Sequence, residues 1–192
     1  FSFDEKHISD KCDVYLIKDK SLIAIQGPQS HSILAKICPE TLNMRFMDNH
    51  QVEILGFSCL ISRSGYTGED GYEISINNEN VIFFTQKLLE NECLKPIGLG
   101  ARDSLRLEAG LCLYGNDINT DITPPEAALS WVVHRKRITH GSLKRPFFGS
   151  EIIFRQLNDG VKKIRVGLFP LGKAPMRQGA EIYSDSSANN KI

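Results

Sequence analysis

Three acids and three glycines crowd into one stretch, Ser62-Arg63-Ser64-Gly65-Tyr66-Thr67-Gly68-Glu69-Asp70-Gly71-Tyr72-Glu73-Ile74. Downstream, Gly98-Leu99-Gly100-Ala101-Arg102-Asp103-Ser104-Leu105-Arg106-Leu107-Glu108-Ala109-Gly110 reads as an amphipathic helix with Arg102 and Arg106 sharing one face. A carboxylate is a strong, directional acceptor for ring or amide N–H donors, and a guanidinium fork grips a carboxylate. The two segments therefore suit a polar small molecule. Glycines at 65, 68 and 71 permit positive φ and a close backbone approach to a ligand. The spacing is not a P-loop, because Lys-Ser/Thr is missing after the last glycine, and no helix follows as a dinucleotide fingerprint requires. On pattern alone the stretch reads first as a tight connection between strands.

Each candidate has two readings. Glu73 is either a solvated carboxylate or a ligand acceptor. Arg102 either pairs with Asp103 or Glu108 on the surface or holds a ligand's carboxylate. Arg106 suits bracing of the loop. Tyr66 and Tyr72 suit packing, and Trp131 suits a core. Arg135-Lys136-Arg137 is a solvated run or a contact for an acidic partner.

Short alternating elements must position these residues. Val14–Ile17 and Leu22–Ile25, split by Lys18-Asp19-Lys20, predict a hairpin. Pro28 opens a helix to about Cys38 that Pro39 ends, with Ile33, Leu34 and Ile37 on one face. Val52–Leu55 and Phe57–Ser62 predict paired strands around Gly56. Tyr72 to Ile76 alternates, with Tyr72, Ile74 and Ile76 facing the core and Glu73 and Ser75 the other way. Asn80 to Leu89 has helical spacing. Gly110 ends the Arg102 helix as a C-cap. Leu129–Val133 and Lys163–Leu168 read as strands, and Ser150 as the N-cap of a helix from Glu151 to Leu157. The fold class is α+β.

Composition narrows the function. Lys+Arg and Asp+Glu both number 23, so bulk charge does not favour nucleic acid. Hydrophobic residues make up 41%, enough for a core. Five scattered cysteines without a CxxC pair suit a reducing compartment. The five histidines form no metal-ligand spacing. No apolar run is long enough for a membrane span. Phe1-Ser2-Phe3-Asp4-Glu5 lacks the pattern of a signal peptide, and both ends read as cuts.

The two signature segments resemble those of aminomethyltransferases, the T-proteins of the glycine cleavage system. Ile25-Gln26-Gly27-Pro28, Leu113-Tyr114-Gly115-Asn116-Asp117-Ile118, Pro125-Glu126-Ala127-Ala128-Leu129-Ser130-Trp131, Val166-Gly167-Leu168 and Ala174-Pro175-Met176-Arg177 continue the match in order. The resemblance implies a folate-binding domain over residues 1–145. It also implies a linker and the start of a C-terminal β-barrel domain over 146–192. The implied reaction moves a one-carbon unit from the aminomethyl-lipoyl arm of H-protein to tetrahydrofolate, releasing ammonia. It places Glu73 on the pterin and Arg102 on the folate's polar groups, with Glu69 and Arg106 as fallbacks and Tyr66 beside them. Lipoylated H-protein and folate are the implied partners, in bacterial cytoplasm or the mitochondrial matrix.

The family's catalytic aspartate belongs to an N-terminal glycine-rich segment ending in paired aspartates, which these residues do not contain. No catalytic residue is therefore assigned here, and this chain alone is expected to be inactive. The alternatives are a folate-dependent demethylase or dimethylglycine-type folate domain, and a non-catalytic folate-binding module. The lysine-glycine-cysteine motif of the module branch is absent.

Overall fold

Strand β4, Gly71–Asn77, sits inside a four-stranded antiparallel sheet of order β1-β4-β3-β2. Its neighbours are β1, Lys20–Gln26, and β3, Phe57–Ser62, with β2, Asn49–Ile54, at the far edge. The computed structural model describes residues 13, 15–134, 147–170, 172–173, 176–177, 179–184 and 191. Val14, Arg135-Lys136-Arg137 and Ala174-Pro175 lie outside the described residues.

Period-two alternation decides the two faces of the sheet. Tyr72, Ile74 and Ile76 are fully buried, and Ile25, Val52, Ile54, Cys59 and Ile61 join them from the other strands. Leu34 of the short helix α1, Ser30–Leu34, packs on this face, together with Cys38 and Met44. Phe84 and Leu88 of α2, Val81–Leu89, complete the cluster. Burial of each such side chain contributes about 1.5–3 kcal/mol. Glu73 and Ser75 fall on the opposite face, as their alternation predicts, opposite Ala24 and Ser62, and Leu22 and Leu60. Helix α3, Leu99–Glu108, starts after Gly98 and ends just before Gly110, whose φ of +72° completes the C-terminal turn.

Residues 1–112 and 113–192 form two compact units. In the second, α4, Ser150–Asp159, contributes buried Ile153. Arg165 donates from its amide to the Glu126 carbonyl and from Nε to the Ala127 carbonyl.

Five expectations change. Strand β1 pairs with β4 and not with residues 15–17, which carry no strand, because the longer β4 offers a full register of partners. Helix α1 stops at Leu34, and Pro39–Asn43 continues as a 3₁₀ turn. Ser130–Val132 is a 3₁₀ turn in place of a strand, and Trp131 is 78% exposed. Residues 163–168 carry no strand. Gly149, at φ +77°, precedes α4 as its cap, and Ser150 is its first residue.

The β2–β3 connection, Leu55-Gly56, has φ of +54° and +81°, the pattern of a type I′ turn. Leucine is strained there and is partly exposed. Leu55→Asn is expected to stabilise the chain by about 0.5–1 kcal/mol, read as a raised thermal midpoint. A lowered midpoint would show that Leu55 packing outweighs its strain.

Candidate functional site

The β3–β4 connection, residues 63–70, is held at three points. Arg63 grips Asp70 through two bonds, Nε to Oδ1 at 3.0 Å and Nη2 to Oδ2 at 2.7 Å. Its Nη1 donates to the Met44 carbonyl at 2.6 Å. The guanidinium also lies 5.7 Å from the ring centroid of Tyr72. Arg63 holds the Asp70 carboxyl below the usual carboxylate range, while burial pushes the Tyr72 hydroxyl up. That hydroxyl meets Nδ1 of His31 on α1 at 2.7 Å. The Asp70 carbonyl accepts from the Gly27 amide at 2.8 Å and from Ser30 Oγ at 3.1 Å. Together these bonds tie both ends of the connection to the sheet and to α1.

The second hold is on α3. Gly68 takes φ +80°, and a Cβ there would come within 2.7 Å of Ala109 Cβ. Only glycine supplies both that conformation and that close approach. The Tyr66 hydroxyl donates to the Cys112 carbonyl just beyond the helix. Arg102, one turn into α3, stacks on the Tyr66 ring at 5.1 Å from its centroid.

The third hold is Gln26 at the end of β1. Its Nε2 donates to the Ser64 and Tyr72 carbonyls at 3.1 and 3.3 Å, and Thr67 Oγ1 donates to its Oε1 at 3.4 Å. Gly65 and Gly71 have no positive φ. Of the three glycines, only Gly68 uses that freedom. At 65 and 71 a side chain would collide with Gln26.

These holds place the predicted residues. Ser64 Oγ donates to Glu73 Oε2 at 3.0 Å across the start of the hairpin. Ser64 and Tyr66 are two residues apart, a reach of at most about 7 Å, so one short turn carries the Glu73 contact and the Arg102 contact. Arg106 is 4% exposed, donates from Nε and Nη2 to Asp103 Oδ1 at 2.7 Å, and from Nη1 to the Leu111 carbonyl at 3.3 Å. It braces the segment after α3, as its sequence position suggested, and it takes Asp103, one of the partners proposed for Arg102. Glu69 is exposed at the tip, with its amide toward Thr67 Oγ1 at 3.4 Å. Glu73, Tyr66 and Arg102 are thus gathered by one turn, while Arg106 serves the scaffold.

Sequence reading missed Gln26, Arg63, Asp70 and His31. The glutamine stands in the quoted Ile25-Gln26-Gly27-Pro28 match, but its partners lie some forty residues away, with |i−j| of 38 to Ser64. Among the described residues, no group of three or more His, Cys, Asp or Glu is arranged to hold a metal, and no helix is long and apolar enough to cross a membrane. Cys38, Cys59 and Cys93 are free thiols. Burial pushes the Cys38 thiol up to about 11, which suits a packing role and not a nucleophile.

The description GCVT N-terminal domain belongs to a family model that matches residues 3–137. "Probable aminomethyltransferase, mitochondrial" of Schizosaccharomyces pombe is 43% identical over 185 residues, covering 94% of this chain and 46% of that protein. "Aminomethyltransferase, mitochondrial" of Dictyostelium discoideum is 46% identical over 186 residues, covering 92% of this chain and 45% of that protein. The crystal structure of the glycine cleavage system aminomethyltransferase T from Bartonella henselae superposes with a TM-score of 0.80 at 37% identity. It covers 100% of this chain and 50% of that one. The chain spans about half the length of the curated relatives it matches.

Proposed function

This chain belongs to the GCVT N-terminal domain family, and on that premise we propose that the turn between β3 and β4 is one wall of a tetrahydrofolate site. The observation that carries the reading is the gathering of Glu73, Tyr66 and Arg102 by a single braced turn. Glu73 accepts from the N–H donors of the pterin. Ser64 engages one of its oxygens, and a carboxylate offers about four lone-pair sites, so acceptor capacity remains. Arg102 holds the folate's polar groups, its guanidinium plane fixed by the Tyr66 ring.

The reaction served is the transfer of a one-carbon unit from the aminomethyl-lipoyl arm of H-protein to tetrahydrofolate, with release of ammonia. Within it, residues 1–145 form the folate-binding domain and residues 146–192 the linker and start of a barrel domain. The extent of the family match, to residue 137, supports that division. The relatives' names support a mitochondrial setting. No acid or base for the transfer is assigned among these residues. The chain alone is expected to bind tetrahydrofolate without turning over aminomethylated H-protein, and turnover by these 192 residues would overturn that.

Calorimetric titration with tetrahydrofolate tests the site. Glu73→Ala and Arg102→Ala are each expected to weaken binding about tenfold to a hundredfold, the cost of a lost hydrogen bond to a charged group. Affinity unchanged in both variants would remove the assignment.

A further inference from the structure

We propose that Gln26 is a positioning residue of this site, a reading that rests on the folate assignment of Glu73 and Tyr66. Gln26 stands opposite Gly71 at the end of β1, and Ala24, two residues back on the same face, stands opposite Glu73. It is therefore on the ligand face, yet its carboxamide is directed into the protein's own backbone. Both N–H donors go to carbonyls, of Ser64 and Tyr72, which bracket the turn on its two sides. Its oxygen takes the Thr67 hydroxyl from the middle of that turn. A carboxamide has two donors and one acceptor oxygen, so one side chain spans the start, the middle and the end of the segment.

The sequence has also been cleared to make room for it. A Cβ at position 65 would stand 1.9 Å from Gln26 Oε1, and one at position 71 would stand 2.4 Å from Cδ, Nε2 and Oε1. Neither glycine needs left-handed backbone. Both are small because the carboxamide lies against them. Two glycines wall the carboxamide and three polar contacts favour this orientation of it. That orientation sets where Ser64 delivers its hydroxyl to Glu73 and where Tyr66 offers its ring to Arg102.

The test is a double-mutant cycle of Gln26→Ala and Gly65→Ala in the 192-residue chain. It is read by tetrahydrofolate titration, thermal midpoint and backbone amide shifts. Gln26→Ala is expected to weaken tetrahydrofolate binding about tenfold. The amides of Tyr66 and Thr67 should shift, while those of Ile61 and Ile76 stay. Gly65→Ala alone should weaken binding at least as much, because its new methyl meets the carboxamide. The double variant should bind no worse than Gln26→Ala, since the obstruction is gone. Effects that simply multiply, or a Gln26→Ala chain with wild-type affinity and wild-type shifts, would overturn the proposal.

Should Gln26→Ala not fold, Gln26→Met fills the slot without donors. Weakened binding at an unchanged midpoint then supports positioning, and unchanged affinity overturns it. Should the unaltered chain itself fail to bind tetrahydrofolate, the folate reading falls. The amide shifts then decide separately whether Gln26 shapes the turn, and unmoved shifts count against it.

Discussion

Phe84→Ala is expected to cost about 3–5 kcal/mol of stability, seen as a fall in the urea midpoint with an unchanged slope. Phe84 is fully buried on α2 and meets Phe57 edge-to-face, with centroids 6.3 Å apart and an interplanar angle of 81°. Phe84 and Leu88 are the buried side chains of α2, and Val81 packs partly buried against the same cluster. Truncation removes the largest of these and leaves a cavity beneath β3, which the short helix is poorly placed to close. Phe83, half-exposed beside it, is the internal control, and Phe83→Ala should cost well under half as much. Equal losses at the two positions would mean that α2 is not anchored as described.

Asp70→Ala is expected to cost about 2–4 kcal/mol near neutral pH. Two charge-assisted bonds disappear, and Arg63 is left on the Tyr72 ring with the Met44 carbonyl as an acceptor. The pair is about a third exposed or less, which keeps the loss below that of a fully buried ion pair. The cost should depend on pH in a defined direction. Arg63 lowers the folded Asp70 carboxyl below its unfolded value of about 4, so the unfolded state binds more protons in acid. The stabilisation is complete above about pH 4 and is lost as pH falls through the folded value. Urea unfolding should therefore show the gap between the native chain and Asp70→Ala narrowing in acid. A gap that held constant or widened below about pH 4 would assign the loss to packing and not to the ion pair.

Strand β4 and helix α3 could be read from the chain because their signals are local. Alternation in Tyr72-Glu73-Ile74-Ser75-Ile76 puts Glu73 on the outer face without knowledge of its neighbours. Gly98 and Gly110 bracket α3, and Arg106 braces it from within the same segment. Non-local signals failed. An apolar run at 14–17 has no way to announce that β1 prefers β4, and the pairing partner decides which run becomes a strand. Residue type alone suggests a core position for Trp131, whereas it lies exposed in a 3₁₀ turn. The glycines at 65 and 71 read as sites of positive φ or close ligand approach, and only the position of Gln26 shows that they are clearances. The candidate site was thus legible in its ligand-facing residues and illegible in the residues that hold them.

The register of β1 with β4 also dictates an order of assembly. Strands β2, β3 and β4 follow one another as neighbours and can zip up through short connections, whereas Lys20 and Asn77 are 57 residues apart. Closing that long loop is entropically the dearest step of the sheet and is expected to come last. Until it does, the chain has a three-stranded meander and part of a core. It lacks the glutamine, and with it the finished turn. A ligand gripping Glu73 would recognise only the fully closed chain, so occupancy would act as a latch on the final event of folding.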